Sequence, residues 1–453
     1  MSDSFTAPLH DPYAALRIRH FRDYLIGSFF ALIGRQAVTA VAIWQVYQWT
    51  HSATALGLVG LVNVLPLLTL SLPAGVLADR YDRRRLIAIG TAFIVVINVM
   101  LAALSFWHAA IAEASPLRLA NAGLERIALI FEKQTPEGAL RFDQPALPLV
   151  YLLLLANATA RILIWPARSS ITPLLVPSDR LSNAITWHTS TFEIATVAGP
   201  ALGGFLIALA GIPAVYAVGA ALELSFLILL SRVTYFQRPQ PSTRPRSWRD
   251  FLAGAEFIWR KRVILGASSL DLFAVLLGGA TALLPIYAEK ILQVGPIGFG
   301  WLRAAPSLGA VMMAMWIAHR APMTRPGWVL LWSVVGFGVA IILFGVSTSF
   351  WLSMIALFFS GAFDNVSVVV RQSLVQLLTP DSLRGRVTAV NQIFIGSSNE
   401  IGALRAGLMS AMIGPVGAVV WGGIGTVAVA ALIARAVPGL RHLPALSTLQ
   451  PSK

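Results

Sequence analysis

Residues Gly75–Ile87 read GVLADRYDRRRLI. Two aspartates and four arginines fall between positions 79 and 85. Apolar runs lie on either side, at 54–78 and 85–107. Each exceeds the roughly 20 residues that cross a bilayer core as a helix. A short basic loop between two such runs marks a hairpin whose turn stays in the cytoplasm, where Arg and Lys are retained. In so tight a loop an aspartate caps a helix N-terminus or pairs with nearby guanidiniums. Gly75, Asp79, Arg80, Arg83 and Arg84 are the small and charged residues available to such a turn.

The composition agrees with that hairpin. Of 453 residues, 57% are apolar and 12% are charged, against roughly 25% charged in soluble domains. A soluble protein, a disordered chain, a collagen and a nucleic-acid-binding tail are excluded together. The net charge of +14 reflects basic cytoplasmic loops rather than a nucleic-acid partner. The absence of cysteine rules out disulfides, thiolate nucleophiles and Cys-based metal sites. The seven His are scattered and no Lys follows a Gly, so neither a zinc-helix motif nor a phosphate-binding loop is present. Neither a metal nor a cofactor is expected. The first 22 residues lack a signal-peptide layout, so the first apolar run is expected to remain as an anchor.

Twelve runs reach spanning length: 22–48, 54–78, 85–107, 148–170, 182–210, 213–231, 263–289, 297–318, 328–346, 350–371, 386–411 and 414–435. They are called spans 1 to 12. With the N-terminus inside, 25 of the 34 basic residues lie on cytoplasmic segments, 5 on outer loops and 4 within spans. Both termini of a multi-pass inner-membrane protein are thus expected in the cytoplasm. The expected fold is all-α. One six-helix half covers 1–231, with a periplasmic insertion at about 108–147; a second covers 263–436, followed by a tail, 437–453.

The linker 232–262 opens with a Pro/Arg-rich stretch, Arg238–Arg246. Ser247-x-x-Asp250 then forms a capping box ahead of Trp248, Phe251, Leu252, Ala255, Ile258 and Trp259 at helical spacing. This pattern predicts an amphipathic helix on the inner membrane surface. In the insertion, Ser115-Pro116 opens either a helix with Leu117, Ala120, Leu124, Ile127 and Phe131 on one face, or a solvated loop.

The two halves repeat. Gly60, Asn63, Pro66 and Arg80 align with Gly300, Arg303, Pro306 and Arg320 at an offset of 240. RSSITPLLVP from Arg168 aligns with RQSLVQLLTP from Arg371 at an offset of 203, which also sets Gly199 on Gly402 and Gly204 on Gly407. The difference matches the insertion in the first half. Repeated halves around a midplane site are transporter architecture.

GVLADRYDRRRLI resembles the signature loop of the major facilitator superfamily, through Gly75, Leu77, Asp79, Arg80, Arg83 and Arg84, with Asp82 where a glycine is usual; the resemblance implies that Gly75, Asp79, Arg80, Arg83 and Arg84 form a gate that latches and releases as the halves rock. The second-half equivalent has decayed to Ala318-His319-Arg320. Ala198–Phe205, AGPALGGF, resembles the later half of that family's antiporter signature, through Gly199, Pro200, Gly203 and Gly204; Thr186 and Ala195 replace its earlier glycines. The stretch from Phe363 to Gly407 resembles the bacterial branch of enterobactin exporter-like permeases and macrolide-efflux relatives, notably at Arg384-Gly385-Arg386 and Ser398-Asn399-Glu400. The resemblance implies alternating access, proton antiport, a siderophore or drug-like cargo, and a monomer embedded in lipid. It also implies that spans 1, 4, 7 and 10 line the cavity.

Those four spans carry Arg35, Arg161, Asp271 and Asp364. Intramembrane charge is costly, about 2.5–3.5 kcal/mol per residue at the centre, unless it faces water or a counter-charge. Asp364, Glu400, Asp271 and Glu193 are candidates for proton coupling, in that order. Arg35, Arg161, Arg405, Asn399, Trp165 and Phe394 are candidates for the substrate cavity, and Trp44, Trp187 and Trp301 for stacking on an aromatic ligand. Glu223 reads as peripheral and structural, and Asp271 as either coupling or merely wet near the inner surface. Arg168 and Arg371 read as gate or anchor residues. Glu400 and Arg405 point about 140° apart, so their partners are expected on other helices. An importer on the same fold is the alternative. An intramembrane enzyme would need a clustered nucleophile, metal or acid–base set, and none is evident.

Overall fold

The computed structural model describes residues 11–108, 115–132, 144–234, 248–320 and 323–445, and these are helical with no strand among them. Ten helical stretches are long and apolar enough to cross a membrane. Two of them, Ser178–Ser231 and Leu383–Ala436, are 54 residues each, enough for two crossings apiece, so the crossings number twelve. Each long stretch breaks at a glycine with left-handed φ: Gly211 (φ 79°, ψ 178°) and Gly414 (φ 79°, ψ 161°). A side chain there would be strained, so glycine is required. Proline follows, Pro213 two residues on and Pro415 at the next position, and its fixed φ starts the next helix. The two breaks are separated by the same 203 residues as the sequence repeat.

Span 1 is Arg19–Thr50, span 2 Ala53–Arg80, span 3 Arg83–Phe106 and span 4 Leu147–Leu175. Spans 5 and 6 are the limbs of Leu181–Ser231. Span 8 is Gly295–Ala318, span 9 Pro326–Val346 and span 10 Phe350–Leu378; spans 11 and 12 are the limbs of Asp381–Ala436. Span 7 departs from the single helix expected over 263–289. It runs as an α-helix only over Arg262–Gly278, then turns through Thr281–Leu283 and ends in a π-turn, Tyr287–Ile291. The pair Gly278-Gly279 weakens the helix there.

Two close approaches join the halves. Span 2 lies on span 11, where a Cβ on Gly57 would stand 2.9 Å from the Leu404 carbonyl oxygen. Span 5 lies on span 8, where a Cβ on Gly300 would stand 2.7 Å from the Pro200 carbonyl oxygen. Small residues let these backbones meet. Both crossings sit toward the membrane face opposite the chain termini, termed the far side. There a single core mixes the halves, packing Tyr47, Leu56 and Tyr216 with Tyr287, Phe299 and Phe344. On the terminal side the cores are separate. One holds Phe21, Ile87 and Phe226; others hold Leu270, Val370 and Leu374, or Ile258, Val375 and Val390. None of these mixes the halves, so the molecule is closed on the far side and parted on the terminal side.

The insertion contains a helix, Ser115–Phe131. Leu117, Leu124 and Phe131 of the expected face are half-buried, with Leu124 packed on the far-side core, and Asn121 and Ala128 are buried beside them, whereas Ala120 and Ile127 are exposed. Glu132 lies just beyond the helix. Its carboxylate accepts from Ser52 Oγ (2.7 Å) and Thr54 N (2.8 Å), fastening the helix end to the start of span 2. The flanking stretches 109–114 and 133–143 lie outside the described residues. The linker helix is Trp248–Arg260. Ile258 is buried and Gly254 lies against the Arg386 backbone, whereas Leu252 and Trp259 are exposed. The helix thus docks by one edge and leaves an apolar edge open. Ser247 and Arg238–Arg246 lie outside the described residues.

Candidate functional site

Charged side chains meet inside the membrane in three places. The first belongs to spans 1, 4 and 6. Glu223 is fully buried, with Arg168 Nη2 at 3.4 Å and Arg35 Nε at 3.9 Å. Arg168 also reaches Thr91 Oγ1 at 3.3 Å and lies over the Phe226 ring at 4.5 Å. Glu223 is therefore the hub of the first half's charge cluster rather than a peripheral residue. Sequence reasoning missed this because it did not fix which way span 6 turns. At the second, the repeat-equivalent Arg371 pairs with Asp271 of span 7, and both are buried. Asp271 is thus not wet. Equivalent arginines have found acids on non-equivalent helices.

The third place lies between the halves. Glu400 of span 11 lies in the electrostatic field of Arg161 of span 4 and Arg303 of span 8, and Asn63 of span 2 also acts on its carboxylate. Arg161 in turn feels Glu223, and Arg35 feels Arg161. The partners of Glu400 thus come from other helices, as the 140° separation requires. Arg161 is the central residue of its helix, yet it, Arg303 and Glu400 are all partly exposed. Charged groups at that depth face a water-filled cavity. Neither Asn63 nor Arg303 was among the candidates read from sequence. A signal existed: they are repeat-equivalent polar positions in otherwise apolar spans.

Other candidates stand apart. Arg405 turns to Met409 Sδ (3.3 Å) and to Gly422 of span 12. Phe394 packs beside Ile258 and Val390 in the terminal-side core. Asn399 is exposed and folds its amide onto the Ile395 carbonyl. Trp165 is 55% exposed, one turn along from Arg161 on the same helix face. Trp44 is buried against Phe299, with ring centroids 5.0 Å apart, and Trp187 donates to the Pro12 carbonyl. Asp364 and Glu193 are partly buried, and neither forms an ion pair among the described residues. No group of three metal-ligating side chains occurs among the described residues.

In the basic loop, Asp82 supplies the cap of span 3, accepting from Arg85 N at 2.8 Å. Its φ of −60° needs no glycine. Arg83 reaches the Ser170 carbonyl (3.0 Å), and Arg84 reaches those of Leu230 (3.1 Å) and Ser231 (2.6 Å). The loop thereby staples spans 3, 4 and 6 together. Gly75 is buried, whereas Asp79 and Arg80 are exposed. Gly199 and Gly203 lie on span 1 at Gln36 and Ala37, while Gly204 faces Gly300. On the far side Gln48 Nε2 donates to Glu289 Oε2 at 2.7 Å, tying span 1 to span 7. A cavity of about 440 Å³ opens beside it, lined by Trp44, Gln45, Trp49, Ser105 and His108 among others.

Comparison with known proteins is consistent over most of the chain. The family model for the Major Facilitator Superfamily matches residues 24–326. The enterobactin exporter EntS of Escherichia coli (strain K12) is 27% identical over 423 residues, 93% of this chain and 92% of that protein. The same exporter from Shigella dysenteriae serotype 1 (strain Sd197) aligns with equal identity and coverage. Among solved structures, a bacterial homologue of the human lysosomal transporter Spinster, inward-facing and occupied, has a TM-score of 0.68 at 14% identity, covering 95% of this chain and 99% of that one. The inward-open xylose transporter XylE from E. coli has a TM-score of 0.61 at 14% identity, covering 94% and 97%.

Proposed function

The chain belongs to the Major Facilitator Superfamily, and from that premise we propose that it exports a small organic molecule, siderophore or drug-like, by alternating access with proton antiport. It is a secondary transporter in a lipid bilayer. The terminal side is the cytoplasm, the far side lies outside, and the protein works as a monomer. The likeness to enterobactin exporters supports export and a siderophore-like cargo.

The observation that carries the coupling is the position of Glu400. It belongs to the second half, yet Asn63 and Arg161 of the first half attend it. When the halves rock about the far-side crossings, this carboxylate changes its neighbours, as a proton carrier in an exchanger must. Asp364, Asp271 and Glu193 rank behind it. Asp271 is held by Arg371, and neither of the other two forms an ion pair among the described residues. The exposed Asp79 suits a latch that engages only when the terminal side closes.

The test is mass spectrometry of cells and medium, comparing a deletion strain with its parent, grown with and without iron. A chelating metabolite retained by the mutant and scarce in its medium under iron starvation supports siderophore export. Identical profiles overturn the siderophore reading and leave a toxic-compound panel to test export. In proteoliposomes, Glu400→Gln is expected to keep substrate counterflow and lose proton-driven movement. Intact proton-driven transport would overturn the assignment of Glu400.

A further inference from the structure

We propose that the insertion helix, Ser115–Phe131, is a strap across the seam between the halves: the first half carries it, it rests on the second, and it holds the far side shut. This rests on the alternating-access reading above and adds what restrains one of its two openings.

The strap is fixed at its end. The Glu132 N–H donates to the Ala128 carbonyl (2.9 Å), so the residue continues the helix and its carboxylate has a set position. One carboxylate oxygen accepts from both Ser52 Oγ and Thr54 N. Ser52 in turn caps span 2, accepting from Ala55 N at 3.1 Å. The carboxylate thus sits at the N-terminus of span 2, where first-turn amides lack partners within the helix and the dipole favours an anion. Tyr151 of span 4 donates to the Ala55 carbonyl at 2.8 Å in the same turn. The insertion helix itself touches both span 2 and span 4. Its anchorage is to the first half.

That anchorage lies on the seam. Ala53 stands between the two residues that Glu132 holds. A Cβ on Gly407 of span 11 would stand 2.5 Å from the Ala53 carbonyl oxygen. The insertion and the second half therefore bear on one and the same turn of span 2. The helix also crosses to the second half, touching Asp381–Ala436. Ala128 is fully buried in the far-side core that mixes the halves, together with Ala406 and Val419, and Leu124 packs against that core. Parting the halves on the far side returns this apolar face to water, which opposes the opening. The second half has no counterpart, since spans 9 and 10 are joined by three residues, 347–349.

The test uses the full chain, which lacks cysteine, in proteoliposomes. Ala406→Cys places a thiol in the far-side core and Leu374→Cys places one in a terminal-side core, both at buried positions. Labelling by N-ethylmaleimide reports opening at each. Glu132→Ala is expected to raise the rate at Ala406→Cys severalfold and to leave that at Leu374→Cys unchanged. No rise at Ala406→Cys overturns the proposal. So does an equal rise at both thiols, the mark of general loosening. Gly300→Leu forces the other far-side crossing without touching the strap, and it serves where Glu132→Ala does not fold. In that variant a spin label at Gly123→Cys, on the exposed face of the helix, should move away from one at Met412→Cys and keep its distance from one at Leu209→Cys. A label that stays with Met412→Cys overturns the proposal. If Ala406→Cys stays protected even in Gly300→Leu, alternating access itself fails and the strap falls with it. A rise in Gly300→Leu but none in Glu132→Ala removes the strap alone and spares the export reading.

Discussion

Arg168 shows how a single residue is decided by packing rather than by pattern. The repeat pairs it with Arg371, and the sequence suffices to see that. The acid each one takes is set by rotation: Glu223 from span 6 in one half, Asp271 from span 7 in the other. Apolar runs give a helix its length but not its azimuth, because lipid and protein neighbours are both apolar. This is why Glu223 read as peripheral and why Asn63 was passed over. Removing one partner of a buried ion pair strands the other and costs about 3–5 kcal/mol. Arg168→Ala is expected to lower the melting temperature in detergent markedly, and Arg168→Met with Glu223→Leu to recover part of the loss. Strict additivity of the two single changes would mean that the pair does not interact.

At the scale of elements, the twelve crossings were legible because each run is long enough, and the gaps left between spans 5 and 6 and between spans 11 and 12 fall at or beside the turns at Gly211 and Gly414. The break in span 7 was less legible, since Gly278-Gly279 sits in a run that remains apolar throughout. The insertion helix lies on the expected residues, and Leu117, Leu124 and Phe131 of its expected face are half-buried while Ala120 and Ile127 are not. Asn121 is buried there, and a rule that turns apolar residues inward does not see it. Alanine at Gly211 or Gly414 forces a side chain into a backbone region that is nearly glycine-only, at a cost of about 1–3 kcal/mol. Unfolding in detergent should register each loss; a neutral change would show that the turn relaxes. Glu132→Gln should cost about 0.5–2 kcal/mol, the worth of a helix cap, read in the same assay.

For the whole molecule, the sequence shows two halves and their order. It does not show which membrane face is closed, since that depends on how complete helices meet. The mixed far-side core and the separate terminal-side cores answer it. The chain contains no cysteine, so accessibility can be read one position at a time. Trp165→Cys is expected to react with a membrane-impermeant maleimide from the terminal side, and Gln48→Cys to be protected on the far side. Gly57→Leu or Gly300→Leu wedges the far-side crossings and should raise labelling at Gln48→Cys severalfold; unchanged labelling would remove those crossings from the gate. One far-side contact also bears on how the protein is made. The carboxylate that finishes the start of span 2 comes from a residue 80 positions later than Ser52. At about 5–20 residues per second, a ribosome delivers span 2 roughly 4–16 seconds before Glu132 is synthesised. Through that interval the first turn of span 2 stands in the bilayer with Ser52 as its own cap. The beginning of the first half is thus completed by its middle. Arrested nascent chains that end before residue 132 should hold a looser hairpin of spans 1 and 2 than chains that extend past it.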